Sequence, residues 1–218
     1  AHTLARDHDI AAAHLERART LSAQLHTDEP VHEWRAEGEG VVVTTARGEY
    51  RAGRLVLTAG AWLSRLMPSL AASLTVTRQP VFWFEPATDP AAFEAERFPI
   101  FIREHEPGRF IYGFPIRDGR VKFAIHMEGE VVDPDTVRRT VGDDEVERLR
   151  VILDRCVPGA AGRCVDRAVC MYTNTPDENF RIGPHPEHPQ VFVASCCSGH
   201  GFKFAPAIGE ALADLVEG

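Results

Sequence analysis

The first part of the chain combines a helical pattern with a series of short strand patterns. Small and apolar residues recur at helical spacing over residues 9–25, which predicts a helix with Asp9 as its cap. Short β-branched runs then alternate with turns at 38–40 and 46–48, which predicts a β-meander. The apolar run at 55–58 predicts a buried strand, and the sequence that follows it favours a short helix from Trp62 to about residue 70.

From residue 74 the pattern changes to strands of about half a dozen residues with turns between them, which is typical of an antiparallel sheet. These strands lie at 74–86, 98–104, 108–115 and 120–127. Helices are then predicted at 133–141, with Asp133 or Asp135 as the cap, and at 143–158. The second of these helices has one apolar face, formed by Val146, Leu149, Leu153 and Cys156.

The end of the chain returns to a strand followed by a helix. Residues 170–189 have no regular pattern, residues 191–195 predict a last buried strand, and a glycine-rich turn then leads into a helix with Pro206 in its first turn. The fold class is therefore α+β. A strand followed by a turn and a helix is predicted both before and after the antiparallel sheet. This repetition indicates that one domain is formed by two separate segments of the chain.

Length and composition exclude several classes of protein. The 218 residues suit one or two domains, and 44% hydrophobic and 8% aromatic residues are ordinary for a globular protein. The net charge of −8 comes without a basic stripe, which argues against nucleic acid as a partner, and no apolar run is long enough to span a membrane. The five cysteines lack the spacing of a disulfide framework, so we interpret them as reduced thiols of a cytoplasmic protein.

The strongest local feature is the glycine-rich segment at residues 195–210. Gly199 and Gly201 allow a flat or anionic ligand to approach the backbone, and the helix that follows directs its free N–H groups toward the same place. Lys203 adds a positive charge. The alternative is an ordinary strand–turn–helix joint with a surface lysine.

A second group of polar residues lies on the predicted sheet. Tyr112 ends one strand, and Lys122 and His126, four residues apart on the next strand, point to the same side. Together these side chains could bind a carboxylate or relay protons. The alternative is a solvated strand face without a function.

A third possibility is a metal site near the C-terminus. The candidate ligands are close in sequence, and they are His185, His188, Cys196, Cys197 and His200. Their spacing matches no zinc pattern, so we predict no metal. Cys196 and Cys197 are expected to be buried core thiols on a strand.

Several motifs in register resemble one family of flavoenzymes. The segment "AVCMYTNTPDENF" at 168–180, followed by "HPEHPQVFVAS" and "SGHGFKF", resembles the C-terminal half of the monomeric sarcosine oxidase and N-methyltryptophan oxidase family. "RLVLTAGAWLSRL" resembles that family's late strand of the FAD domain, and "IYGFP" with the Lys122–His126 pair and "VDPDT" resembles its substrate domain. The resemblance covers nearly the whole chain from about residue 11.

The resemblance implies that Cys170 is bonded to the 8α-methyl group of FAD and that Lys203 lies beside the flavin and helps to activate dioxygen. It implies that Tyr112, Lys122 and His126 line the substrate cavity. It also implies a set of cofactor-binding residues: Gly60, Trp62, Cys170, Tyr172, Thr173, Gly199, His200, Gly201, Phe202 and Lys203.

One feature of the family is absent. The G-x-G-x-x-G turn that holds the FAD pyrophosphate does not occur, and the chain does not begin with Met, so we expect a piece without the N-terminal Rossmann unit. The expected domains are a remnant of the FAD-binding domain at 1–73, a substrate domain at 74–167, and a return to the FAD-binding domain at 168–218.

Three functions follow from these observations. In the first, the chain is part of an FAD-dependent oxidase of secondary amino acids, which takes a small amine and O₂, yields H₂O₂ and is inactive without the N-terminal segment. In the second, it is a folded, non-catalytic module without flavin. In the third, it is a Cys/His metal protein.

Overall fold

The structure is a computed structural model, and it describes residues 7–218. The chain divides into two compact units. The terminal unit comprises the described residues up to Ala59 together with Arg181–Cys196 and His200–Gly218, and the sheet unit comprises Gly60–Phe180 and Cys197–Gly199.

The terminal unit contains the helix α1, two small sheets and the C-terminal helix α4. Its helices and strands are α1 Asp7–Thr20, β1 Val31–Glu37, β2 Gly40–Thr45, β3 Gly48–Ala52, β4 Leu55–Leu57, β10 Arg181–Pro184, β11 Val191–Ser195 and α4 Ala205–Glu217. Strands β1, β2 and β3 form the predicted antiparallel meander, while β11 lies between an antiparallel β10 and a parallel β4. The helix α4 has proline in its first turn, as predicted.

The sheet unit is built on five antiparallel strands. Its elements are α2 Leu63–Leu66, β5 Thr75–Phe84, β6 Phe101–Glu106, β7 Arg109–Arg117, β8 Arg120–His126, α3 Asp143–Cys156 and β9 Cys164–Asn174. The strand order is β6-β7-β8-β5-β9, so β9 lies at one edge and pairs along the whole length of β5. All four strands predicted between residues 74 and 127 are present.

The core of the sheet unit lies on one face of the sheet. Alternate residues of β5 and β8 point to this face, where Phe84 and Phe123 are fully buried. Helix α3 covers them with Leu149 and Leu153, two residues of its predicted apolar face. The opposite face of the same strands is therefore not part of this core.

Two predicted helices differ from the observed structure. The first helix ends at Thr20 rather than near residue 25, because Ser22 has a positive φ of 71°, and Asp9 lies inside it rather than at its cap. Residues 133–141 form no helix. The Asp133 carboxylate accepts a hydrogen bond from the Asp135 amide at 2.8 Å, which closes a local turn instead.

Two further predictions near residue 60 were partly wrong. The strand at β4 is short, and only Leu57 is buried in it. The helix expected from Trp62 to about residue 70 is divided into Leu63–Leu66 and a 3₁₀ segment at Pro68–Ser73, because Pro68 has no amide hydrogen to continue the helical bonding.

The main difference concerns the segment expected to be irregular. Residues 164–174 form β9, so Cys170 lies inside a strand rather than at the edge of a loop. The sequence did not reveal this strand, because only Thr173 of its eleven residues is buried and the pattern of apolar residues is therefore weak. The compact units accordingly divide near Gly60 and Phe180, whereas the sequence had placed the boundaries after residues 73 and 167.

No helix of the described residues is both long enough and apolar enough to cross a membrane.

Candidate functional site

The face of the sheet opposite the core carries a group of aromatic and cationic side chains. Lys122 and His126 alternate with core residues along β8, and Tyr112 of β7 pairs directly with Ala124, which lies between them. Residues that pair directly across neighbouring strands point to the same side. Tyr112, Lys122 and His126 therefore share this face, which we call the site face.

The ammonium group of Lys122 lies between two aromatic rings. Its Nζ is 5.4 Å from the centre of the Trp83 ring and 5.2 Å from that of Phe114. Each ring presents a negative π-face to the cation, which stabilises a charge in half-buried surroundings. Lys122 is thus a cation held by aromatic groups on the site face.

A row of three rings crosses the site face from β7 through β8 to the edge strand β9. The ring centres of Tyr112 and His126 are 6.1 Å apart, and those of His126 and Tyr172 are 5.8 Å apart. Burial raises the pKa of Tyr172, although a side-chain hydrogen bond from Tyr112 opposes this shift. Tyr172 is consequently a neutral phenol at physiological pH and can donate a hydrogen bond.

Cys170 lies on the same face at the edge strand. It pairs with Gln79 of β5, and Trp83, four residues further along β5, pairs with Lys122. Residues four apart on a strand point to the same side, so the thiol shares the site face with Lys122. The residue is exposed and its thiol is free.

Gly199 closes one side of this group. Its φ is +73°, and a Cβ atom there would lie 2.6 Å from the Tyr172 ring and 3.0 Å from the His126 ring. Both the backbone conformation and the close approach require glycine. The preceding residue, Ser198, donates its amide hydrogen to the Thr173 carbonyl at 3.0 Å, which attaches the turn to β9.

Three residues from the predicted set have other positions within the sheet unit. The Thr173 side chain points to the side of β9 opposite Cys170 and is only 4% exposed. Gly60 has a φ of +53° and begins a short 3₁₀ turn. The Trp62 indole donates to Asp135 at 2.6 Å, and Arg65 binds the same carboxylate.

The remaining predicted residues belong to the terminal unit. Lys203 lies in the 3₁₀ turn Phe202–Phe204, with its Nζ 5.3 Å from the centre of the Phe204 ring. Phe202 is 45% exposed, and His200 is also exposed. Gly201, by contrast, is buried.

The residues considered as metal ligands do not form one cluster. His185 and His188 lie 4.9 Å apart by ring centres and both contact Trp34 edge-on. Within residues 7–218, no three His, Cys, Asp or Glu side chains come together as a metal site requires. Cys196 and Cys197 follow β11 and are half-buried, so the prediction of strand-bound core thiols was wrong.

Sequence reasoning missed the two rings around Lys122. Trp83 and Phe114 looked like ordinary strand residues, and only the register of three strands brings them to the lysine. The strict alternation of each strand was the available signal, since both residues fall on the side opposite the core.

Comparison with known proteins identifies the family. The chain is 43% identical over 216 residues to monomeric sarcosine oxidase of Streptomyces avermitilis, covering 97% of this chain and 56% of the relative. It is 33% identical to N-methyl-L-tryptophan oxidase of Salmonella agona, covering 94% and 54% of the two chains. The chain thus spans about half the length of the curated relatives it matches.

Solved structures share the fold. The amino acid oxidase NikD superposes with a TM-score of 0.76 at 25% identity, covering 94% of this chain and 55% of NikD. Glycine oxidase from Geobacillus kaustophilus has the same TM-score at 24% identity, covering 96% and 53%, and shows a likeness of fold. Residues 2–215 match the family described as FAD dependent oxidoreductase, and the chain belongs to that family.

Proposed function

We propose that these residues form the substrate-binding part of a flavin-dependent amine oxidase that acts on secondary amino acids such as sarcosine or N-methyltryptophan. The observation that carries the proposal is the site face, where a free thiol, a cation and three hydrogen-bonding rings share one side of a sheet. The relatives named for these two substrates support the choice of substrate class.

The residues present fit a flavin. Cys170 is an exposed, free thiol on an edge strand, so a flat ring system can reach its sulfur without displacing the core. FAD, when bound, supplies the acceptor for the hydride equivalent of the amine and passes the electrons to O₂. Since the chain contains no G-x-G-x-x-G turn, the pyrophosphate cradle would come from residues outside these 218.

The chain's own residues would hold and orient the amine. Tyr172 and Tyr112, linked by their hydrogen bond, offer a phenol donor to a carboxylate, and His126 lies against Tyr172 on the same face. The amine loses a hydride and a proton to give an imine, which water hydrolyses, while O₂ is reduced to H₂O₂.

Attachment at Cys170 is part of the proposal. Cys170 would hold FAD through a thioether to its 8α-methyl carbon; the thiol would give up one proton and the methyl group another, and the two electrons released would pass with these protons to O₂, giving H₂O₂. None of the five cysteines, all within residues 7–218, is part of a disulfide, which supports a reducing compartment such as the cytoplasm.

Two lysines compete for the role of the cation that acts on O₂. The family resemblance suggested Lys203. The geometry favours Lys122, because its ammonium shares the site face with Cys170 and its aromatic surroundings weaken solvent screening of the charge. We therefore assign the oxygen step to Lys122 and leave Lys203 as the competing residue.

The test uses the protein expressed from its complete reading frame. Sarcosine and N-methyl-L-tryptophan are supplied aerobically, with glycine as the primary-amine control. Consumption of O₂ with an equal amount of H₂O₂ is expected for at least one secondary amine. A flavin-loaded protein that oxidises neither these nor other N-methyl amino acids would contradict the proposal.

Stopped-flow kinetics then separate the two lysines. Lys122→Met should slow flavin reoxidation by O₂ by roughly 100-fold or more, the usual effect of removing a positioned charge, and should slow flavin reduction much less. Lys203→Met serves as the matched variant. If Lys203→Met alone slows reoxidation, the oxygen role belongs to Lys203.

A further inference from the structure

Cys196 and Cys197 are adjacent in the chain and are not used by the proposed function. Both follow the fully buried strand β11, both are half-buried, and neither is part of a disulfide. Both residues are partly accessible to solvent, so a small oxidant can reach them. They form the only Cys-Cys pair in the 218-residue sequence.

The pair directly precedes the turn at residues 198–200, which contains Gly199. Ser198 and Gly199 have φ values of 45° and 73°, so two successive residues are left-handed directly after the thiols. The Ser198 amide is bonded to the Thr173 carbonyl, and its hydroxyl accepts a hydrogen bond from the Thr175 amide at 3.3 Å. A change of backbone at the two cysteines would act directly on this turn, where a Cβ added at Gly199 would lie 2.6 Å from the Tyr172 ring.

We propose that Cys196 and Cys197 form a reversible vicinal disulfide under hydrogen peroxide. One thiolate attacks a peroxide oxygen, forming a sulfenic acid and releasing water after protonation. The neighbouring thiol attacks the oxidised sulfur, forming the S–S bond and releasing a second water. The two thiols lose two electrons and two protons, and H₂O₂ becomes two H₂O. The source of peroxide rests on the proposed oxidase activity.

The covalent geometry makes this disulfide easy to reduce. Adjacent Cα atoms across a trans peptide are about 3.8 Å apart, whereas disulfides usually join Cα atoms roughly 4.4–6.8 Å apart. A disulfide between adjacent cysteines therefore strains the backbone, and strained disulfides have the higher reduction potentials that are typical of regulatory bonds. The backbone relieves part of this strain by shifting, and this shift would move the adjacent Ser198–Gly199 turn.

Other cysteines are poorer candidates for the same chemistry. Cys170 stands alone on the site face and is assigned to the flavin. Burial raises the pKa of the Cys164 thiol, which lowers the fraction present as reactive thiolate. Neither has a neighbouring cysteine in sequence to complete a disulfide.

The experiment adds peroxide to the protein expressed from its complete reading frame. After thiol alkylation under denaturing conditions and digestion with trypsin, residues 182–203 form one peptide that contains only these two cysteines. Peroxide should yield this peptide unalkylated and lighter by two hydrogens than its reduced form, and dithiothreitol should reverse the change. A peptide that stays reduced, or that gains oxygen atoms irreversibly, would overturn the proposal.

Hydrogen exchange tests the effect on the turn. The Ser198 amide should exchange about tenfold faster in the oxidised protein, equivalent to about 1.4 kcal/mol of local stability. In the Cys196→Ser/Cys197→Ser variant peroxide should leave that rate unchanged. Equal exchange in oxidised and reduced wild type would refute the coupling to the turn.

Because peroxide is added from outside, the outcome does not depend on oxidase activity. A disulfide without amine oxidation would leave this inference standing and reject the proposed function. Oxidase activity without a disulfide would support the proposed function and reject this inference.

Discussion

Protonation of Glu145 should weaken the sheet unit at acidic pH. Arg78 is only 3% exposed, and its guanidinium donates to the carbonyls of Arg138 and Thr140 and to the Glu145 carboxylate at 2.6 Å. The same carboxylate accepts from the Gly142 amide at 2.9 Å, at the start of α3. Glu145 therefore links a buried charge to the first turn of the core helix.

The magnitude follows from the pKa of Glu145. Burial raises this pKa, but hydrogen bonds from Arg78, the Gly142 amide and Arg138 outweigh it and lower the pKa from 4.5 to about 2. At about 1.4 kcal/mol per pH unit, this shift corresponds to about 3 kcal/mol of stability at pH 7. Because the folded pKa is depressed, the contribution is complete above about pH 4.5 and is lost as the pH falls toward 2. At pH 3 about 2 kcal/mol of this contribution to the free energy of unfolding should be lost.

Urea unfolding of wild type and Glu145→Gln tests this reasoning. The variant should be less stable by about 3 kcal/mol at pH 7, and the difference should narrow by about 2 kcal/mol at pH 3 because wild type loses the ionised pair as well. Glu147→Gln is the matched control, since Glu147 lies on the same helix with an exposed side chain. A pH-independent effect of Glu145→Gln, or one equal to that of Glu147→Gln, would refute the argument.

Two further predictions concern the site face. Gly199→Ala should lower the free energy of unfolding by about 2 kcal/mol, because it adds a Cβ beside Tyr172 at a positive φ. Gly209→Ala in α4 is the control, since a Cβ there meets open space and should not destabilise the protein. Equal effects of the two variants on thermal unfolding would contradict this explanation. Tyr112→Phe should raise the pKa of Tyr172 further, since it removes the hydrogen bond that lowers this pKa, and an unchanged alkaline titration of Tyr172 by NMR with ¹³C-labelled tyrosine would count against that bond.

Strand patterns were predictable where one face is buried. The four strands from residue 75 to 126 and the apolar face of α3 follow directly from alternation and helical spacing. Strand β9 was not predicted, because it is an edge strand in which only Thr173 is buried and polar and apolar residues do not alternate. Its pairing depends on β5, about 90 residues earlier in the chain, which no local pattern encodes.

The candidate site was predictable only in part. The spacing of Lys122 and His126 correctly placed both on one face of β8. The rings of Trp83 and Phe114 come from neighbouring strands, so their contact with Lys122 depends on strand register. Capping rules also failed at Asp133 and Asp135. Both were candidate helix caps, but both form ion pairs with Arg65, about 70 residues earlier in the chain, which the local sequence does not indicate.

The most direct test of the account is whether flavin is bonded to Cys170. The protein expressed from its complete reading frame is denatured in acid and digested with trypsin, which releases residues 168–181 as one peptide with a single cysteine. We expect this peptide to carry the flavin, and Cys170→Ala to leave all flavin extractable. Flavin that stays covalently bound in Cys170→Ala, or that is bonded to another peptide of the wild type, would contradict the central claim.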